Sequence, residues 1–294
     1  MELAAYFSDP IDTLSAYNPL FFTHPESYLA EFYKQTCLEL AKLKPQEHTF
    51  ALAGLFQTAP TEIQSLEGLK QALNLAYEHR APSIYLLPEP LLERRFMESK
   101  GKTAFIGTQN PFPDMPVHIG ALEFMQDEPS DRKIRIGQLR QHGVPDIEPI
   151  LRNCHTVLVD LHSMQSDTCP FGIEPEILCQ LFFYLGSSGG TAEVALVQEP
   201  GQTGRQSAHK VAVALWYFLK GLDFRLPNQQ PTLEECVSYV IPDPQSNESF
   251  VFYKEKRVDR WWFGYADSPT WIACSETDYK SCLNGSPPSH LLAT

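Results

Sequence analysis

Short apolar runs of strand length alternate with longer stretches whose apolar residues recur at helical spacing, and few folds accept that alternation. The runs are FALAGL at Phe50–Leu55, SIYLL at Ser83–Leu87, TAFIG at Thr103–Gly107, HTVLVDL at His155–Leu161 and AEVALV at Ala192–Val197. Several are apolar at consecutive positions, as strands covered on both faces are. Helical stripes lie between and around them. Pro25–Leu43 places Leu29, Phe32, Tyr33, Thr36 and Leu40 on roughly one face, and Glu62–His79 does the same with Leu66, Leu69, Leu73 and Ala76. Asp146–Arg152, Pro175–Leu185 and Arg205–Leu219 complete the set, with Gly221 as a stop for the last helix. Strands that alternate with helices predict parallel crossovers, hence a three-layer α/β/α fold with a mainly parallel, doubly wound sheet. In such sheets ligands gather beyond the carboxyl ends of the strands. That points to Pro88–Glu93, Thr108–Met115, Asp160–Gly172 and Gln198–Gln206.

The pattern changes after Leu226. Pro227, Pro231, Pro242 and Pro244 interrupt the chain, and FVFYKEKRVDRWW at Phe250–Trp262 is aromatic and basic. The expectation is an α/β body over residues 1–226 and an extended C-terminal arm over 227–294 that packs on it within one domain. Trp261 and Trp262 would anchor that arm by burial.

The chain has 294 residues and a formal net charge of -13. That length can bury a substantial core, and that charge repels nucleic-acid backbones and anionic membranes, so neither is an expected partner. Lys254, Lys256, Arg257 and Arg260 are then expected to work within the molecule. No run of about 18 apolar residues exists, and the first 22 residues have neither a basic start nor an apolar stretch of signal-peptide form. The seven cysteines are scattered without a CxxC pair, which suits reduced thiols and a cytoplasmic protein.

Chemistry concentrates in TVLVDLHSMQSDTCPFG at Thr156–Gly172. Asp160 and His162 are two apart at a strand end, so strand geometry would turn both to one face, where a carboxylate and an imidazole could ligate a divalent metal. His162 could also act as a general base oriented by Asp160 or Asp167. The plainer reading has Asp160 cap the following turn and His162 bond to a nearby backbone group. Ser163 and Ser166 lack a nucleophile elbow and read as turn residues. Cys169 shares its loop with Asp167, which would raise the thiol's pKa.

This block resembles the late strand of the ureohydrolases (arginase, agmatinase, formimidoylglutamase). In them an Asp-x-Asp pair holds two Mn²⁺ ions ahead of a Pro-Gly turn. Asp160 matches the first metal aspartate, His162 stands at the second, and Asp167 precedes the turn. Ala192–Leu219 resembles the family's next strand, its substrate loop and its final helix. The resemblance places Gln198 or Glu199 near the substrate-binding glutamate and Ser207–His209 on a structural triplet. FYKEKRVDRWWF is similar to the ending of formimidoylglutamase-like members from the Bacteroidetes group. The blocks span Ile134–Trp262, and the earlier half matches in strand and helix order alone.

The family's other metal donors are not matched. LLPEPLL at Leu86–Leu92 has no histidine and no glycine where a Gly-Gly-x-His-like loop belongs, and AFIGTQNPF at Ala104–Phe112 has no acidic residue and no histidine. Two Mn²⁺ ions carry a charge of +4, and one carboxylate with one imidazole cannot offset it. Glu89 and Glu93 lie near the first loop and read as solvated glutamates. The expectation is an arginase-like fold without binuclear catalysis, with no cofactor, acting in binding or scaffolding with an unidentified protein or small molecule as partner. The alternative is a hydrolase of linear amidines with Mn²⁺ on Asp160 and His162 and with Glu199 on the substrate. Family members are often trimers or hexamers, which leaves a homo-oligomer open.

Overall fold

The structure, a computed structural model, describes residues 7–8, 19–23, 27–44, 46–48, 50–52, 62–99, 101–112, 114–124, 132–198, 200, 203–242, 249–265, 270–288 and 291. Nine parallel strands form one sheet: β1 (Phe7–Ser8), β2 (Leu20–Thr23), β3 (Phe50–Leu52), β4 (Ser83–Leu87), β5 (Thr103–Ile106), β6 (Val117–Ala121), β7 (Arg132–Arg135), β8 (Thr156–Asp160) and β9 (Glu193–Val197). Their order across the sheet is β1-β3-β2-β4-β9-β8-β5-β6-β7. The chain jumps from β4 to β5, runs outward through β7 and returns to lay β8 and β9 in the gap. The doubly wound parallel sheet is thus as expected.

Both faces are covered. On one lie α1 (Ser27–Leu40), α4 (Ile136–His142), α5 (Glu148–Arg152), α6 (Pro175–Ser187) and α7 (Arg205–Leu222). On the other lie α2 (Glu62–Glu78) and α3 (Leu92–Glu98). Alternation along each strand divides the core. Ile84, Leu86, Val157, Val159, Val194 and Leu196 face the first layer, and Tyr85, Leu87, Phe105, Leu158, Ala195 and Val197 face the second. The α1 stripe buries Leu29, Phe32, Thr36 and Leu40 fully, and Thr36 Oγ1 returns its proton to the Phe32 carbonyl at 2.8 Å. Strands β1, β2, β6 and β7 and helices α3 and α4 were not anticipated. The β4 exit is no open loop either: Glu89–Leu91 is a 3-10 turn that runs directly into α3.

Gly221 does not stop α7, which continues to Leu222. It lies where α7 crosses α6. A Cβ there would come within 2.1 Å of the Phe183 carbonyl oxygen, and one on Gly186 within 2.1 Å of the Phe218 oxygen. The two glycines are present because the two backbones touch.

The segment beyond Leu226 is a folded layer, not an extended arm. β10 (Cys236–Pro242), β11 (Ser249–Glu255), β12 (Trp261–Tyr265) and β13 (Ile272–Cys274) form an antiparallel sheet in that order, followed by α8 (Glu276–Leu283). One face packs Phe250, Phe252, Trp261 and Phe263, and the other packs Val251, Tyr253, Trp262 and Trp271. Because both faces are apolar, the strands lack the polar alternation that marks a half-exposed sheet. Pro242 closes β10 rather than breaking it, and Ser275 caps α8 through a reciprocal bond with Asp278.

The basic residues are used internally. Arg152 on α5 is fully buried; it donates from Nη2 to the Trp261 carbonyl at 3.0 Å, and its guanidinium carbon sits 4.3 Å from the Trp262 ring centre. Arg260 donates to the Ser187 carbonyl at 2.9 Å, and Lys254 pairs with Asp259 at 2.9 Å. No helix among the described residues is long and apolar enough to cross a membrane.

Candidate functional site

β8 ends at Asp160, and the chain turns at once into a 3-10 helix at Leu161–Ser163. The strand alternation that would have set Asp160 and His162 on one face therefore stops one residue too early. Asp160 caps the turn: Oδ1 accepts the His162 backbone N–H at 2.9 Å, and Oδ2 accepts the Ser163 hydroxyl. Ser163 Oγ accepts in turn from the Thr108 N–H at 2.8 Å and lies 3.0 Å from Thr108 Oγ1. This knot ties the end of β8 to the loop after β5. Burial raises the Asp160 carboxyl above the usual range, against lowering by the Ser163 and His162 hydrogen bonds and the His162 ring, with a small raising contribution from Glu89.

The following loop is closed on itself. Ile173 N–H donates to the Ser163 carbonyl and Gln165 N–H to the Ile173 carbonyl, both at 2.8 Å. A Cβ on Gly172 would stand 2.5 Å from the Ser163 carbonyl oxygen, so only glycine lets the loop close. Asp167 is exposed on this loop. Burial raises the Cys169 thiol first and Asp160 second, so the charge that acts on it is not Asp167. Glu199 lies outside the described residues, and its neighbour Gln198 is buried at the end of β9. His209 on α7 joins Arg205 and Lys42 around Glu39 of α1, with Nδ1 3.3 Å from Glu39 Oε2, a contact that holds two helices together.

These residues fit a binuclear manganese centre poorly. Both Asp160 oxygens are engaged by their own turn. The loop after β5 supplies Asn110, whose side chain is bonded at both ends to the Phe112 backbone, at 2.5 and 3.0 Å. Phe112 is buried, stacked on Phe96 at 4.8 Å and edge-on to Phe105 at 6.3 Å, so an aromatic wedge occupies this edge. Among the described residues no three His, Cys, Asp or Glu side chains converge as a metal site.

A second constellation lies at the opposite, amino edge of the strands. Glu193 opens β9, Tyr85 lies in β4 and Arg95 comes from α3, all buried. Arg95 Nε donates to Glu193 Oε1 at 2.6 Å, and Nη2 and the Tyr85 hydroxyl also reach that carboxylate. Arg95 and Glu193 line a cavity of about 630 Å³, and Tyr85 supports them from the core. The sequence signal was a charged residue and a phenol within otherwise apolar strands, and it was passed over.

No family model matches the sequence, and no curated protein does. Solved structures do match in shape. Formimidoylglutamase from Bacillus subtilis is 14% identical, with a TM-score of 0.57 over 76% of this chain and 92% of that one. Trypanosoma cruzi formiminoglutamase, solved with Mn²⁺, is 12% identical, with a TM-score of 0.58 over 77% and 99%. The agmatine ureohydrolase of Thermoplasma volcanium is 12% identical, with a TM-score of 0.54 over 74% and 95%. At such identities it is the fold that is shared, and the fold of this chain is that of the ureohydrolases.

Proposed function

We propose that this chain is a ureohydrolase-fold protein that has given up binuclear manganese catalysis and acts by binding. The observation that carries this reading is the state of Asp160. Its two oxygens each accept a hydrogen bond, from the His162 N–H and the Ser163 hydroxyl, and the neighbouring loop brings buried Phe112. Two divalent ions held close together need several anionic donors to offset their repulsion. Here Asp160 is already the cap of its own turn, and among the described residues no three acidic, histidine or cysteine side chains converge as a metal site.

The test is elemental analysis of protein purified and dialysed with Mn²⁺, paired with assays for ammonia, formamide and urea release. Formimidoyl-glutamate, agmatine and arginine serve as substrates. The expected result is no stoichiometric manganese and no release above the buffer rate. Two tightly held ions per chain would overturn the proposal. So would turnover of a linear amidine that Asp160→Ala abolishes, which would establish the rival reading with Asp160 and His162 as ligands and Glu199 on the substrate.

A further inference from the structure

The second sheet ends in an open strand. In the order β10-β11-β12-β13, β10 has a neighbour on one side alone. Glu235 stands opposite Lys256 in the register that pairs Cys236 with Glu255, and the Lys256 N–H donates to the Glu235 carbonyl at 2.9 Å. Bonded pairs in an antiparallel ladder recur at every second residue, so Val237, Tyr239 and Ile241 also turn their backbone groups to β11. The Glu255 N–H donates away from β10, to the Arg260 carbonyl at 3.0 Å, which fits the same phase. Cys236, Ser238, Val240 and Pro242 therefore point theirs outward. The Cys236 N–H is used by the turn before it, on the Leu233 carbonyl, and Pro242 has no N–H. What stays complete on the open edge is the N–H and C=O of Ser238 and of Val240, and among the described residues nothing bonds to them.

The other sheet edges are protected. β1 has two residues, β13 has three and lies beside α5, and β7 is the basic RKIR. Short strands and charges keep an edge from pairing with another chain. β10 has seven residues, CVSYVIP, and no charge. It is also where apolar side chains are left in water. Val240 is 63% exposed and Val237 44%, with Leu233 at 65% in the turn before them. Exposed apolar residues gathered in this way mark an interaction surface.

A second copy of the chain fits this edge. Turned about a two-fold axis at Tyr239, the strand sets Ser238 of one copy opposite Val240 of the other, twice, and each such pair exchanges two N–H···O=C bonds. All the complete outward groups are then paired, and the two residues without a free N–H, Cys236 and Pro242, fall at the ends. Val237 and Ile241 of opposite copies become cross-strand neighbours. In a chain of net charge -13, CVSYVIP is a stretch on which two copies meet with no like charges opposed. We propose that the chain forms a two-fold dimer by antiparallel pairing of β10 with β10 of a second copy, which joins the two four-stranded sheets into one. A single strand pair is smaller than a standard interface of roughly 1,200–2,000 Å², so the dimer forms with rising concentration. None of this depends on the carboxyl edge of the first sheet.

The test is sedimentation velocity of the full chain up to about 1 mM, paired with amide exchange read residue by residue. A monomer–dimer equilibrium is expected. The Ser238 and Val240 amides should exchange fast when dilute and slowly when concentrated, while Val237, Tyr239 and Ile241 stay protected throughout. Ser238→Pro removes an N–H that the β10–β11 ladder does not use, at an edge position where proline is tolerated. It deletes half of the bonds between copies and should weaken the dimer about tenfold or more. Val240→Lys puts a charge on the edge and should weaken it as well. Met97→Lys, at a 77% exposed position on α3, should leave it unchanged. Thermal melts establish that the variants are folded. A monomer at every concentration, a trimer or larger ring, or a dimer untouched by Ser238→Pro and Val240→Lys would each overturn the proposal. So would a dimer that Met97→Lys weakens equally, or protection of Ser238 and Val240 that does not change with concentration, which would place another segment on the edge.

Discussion

Both oxygens of Asp160 accept hydrogen bonds from its own turn, so truncation to alanine strands the His162 N–H, while Ser163 can fall back on Thr108 Oγ1 at 3.0 Å. An unsatisfied donor costs about 1–3 kcal/mol when buried; the His162 N–H is part-buried, so a loss of about 1 kcal/mol, at the lower end, is expected for Asp160→Ala in urea unfolding. Asp160→Asn keeps an acceptor for the His162 N–H and should lose less. Manganese should leave the wild type and both variants unchanged; a manganese-dependent gain in the wild type that Asp160→Ala removes would contradict the role as a cap. The sequence made Asp160 conspicuous but could not show that it caps its own turn, because that rests on where β8 stops. One further residue of strand would have turned His162 to the same face. The buried Arg95–Glu193–Tyr85 cluster was harder to read. Its members are far apart in sequence, and a glutamate at a strand start looks like a solvated end until the helices that bury it are in place.

Between elements, two contacts on the α1/α6/α7 layer can be tested. At the glycine crossing, Gly221→Ala would gain about 1 kcal/mol of helix propensity. Its Cβ, 2.1 Å from the Phe183 oxygen, must push α6 away, and overpacking costs about 1–3 kcal/mol. A net loss in urea unfolding is expected, and a stabilised variant would show that the helices do not touch there. The second contact is Glu39, whose Oε1 takes Lys42 Nζ at 2.6 Å and Arg205 Nε at 2.8 Å. The Lys42 hydrogen bond, then the Arg205 one, hold its carboxyl down at about 2 against an ordinary 4.5. The folded state therefore binds fewer protons than the unfolded one in that interval, so the contribution is present above 4.5 and is lost as pH falls toward 2. The stability gap between wild type and Glu39→Gln should shrink across that window; a gap that stays constant would remove Glu39 from the linkage. Strand and helix order from β4 to α7 was largely legible, since buried parallel strands read as apolar runs. β6 and β7 were not. The first contains His118 and Gly120 within VHIGA, and the second is the polar RKIR, which masked both as loops.

Among the described residues the chain forms two sheets with a polar seam between them, and that seam is expected to make them unfold together. Arg152 reaches Glu148 at 3.4 Å and Glu255 at 4.0 Å, Arg260 reaches the same Glu148 oxygen at 3.5 Å, and Trp262 Nε1 donates to Glu255 at 2.8 Å. The Arg152 Nε and Nη1 atoms and Glu148 Oε1 are buried without hydrogen-bond geometry, so the seam is held by charge and by the Trp262 face more than by directed bonds. Burial raises the Glu148 carboxyl, and Arg152 and then Arg260 pull it back, so Glu148 depends on both arginines for its charge. Arg152→Met leaves Glu148 buried beside one cation and removes the bond to the Trp261 carbonyl; losing one partner of a buried pair costs about 3–5 kcal/mol. Glu148→Gln removes the charge that Arg152 compensates. The double variant should therefore be less destabilised than the two single losses added together, because each change relieves the defect the other creates. The wild type is expected to unfold in one transition. Arg152→Met should expose the 223–235 connection to limited proteolysis before the α/β body melts, releasing the β10–β13 sheet. Additive losses in urea unfolding, with proteolysis unchanged, would mean that the aromatic face alone holds the second sheet in place and that the buried charges are incidental to it.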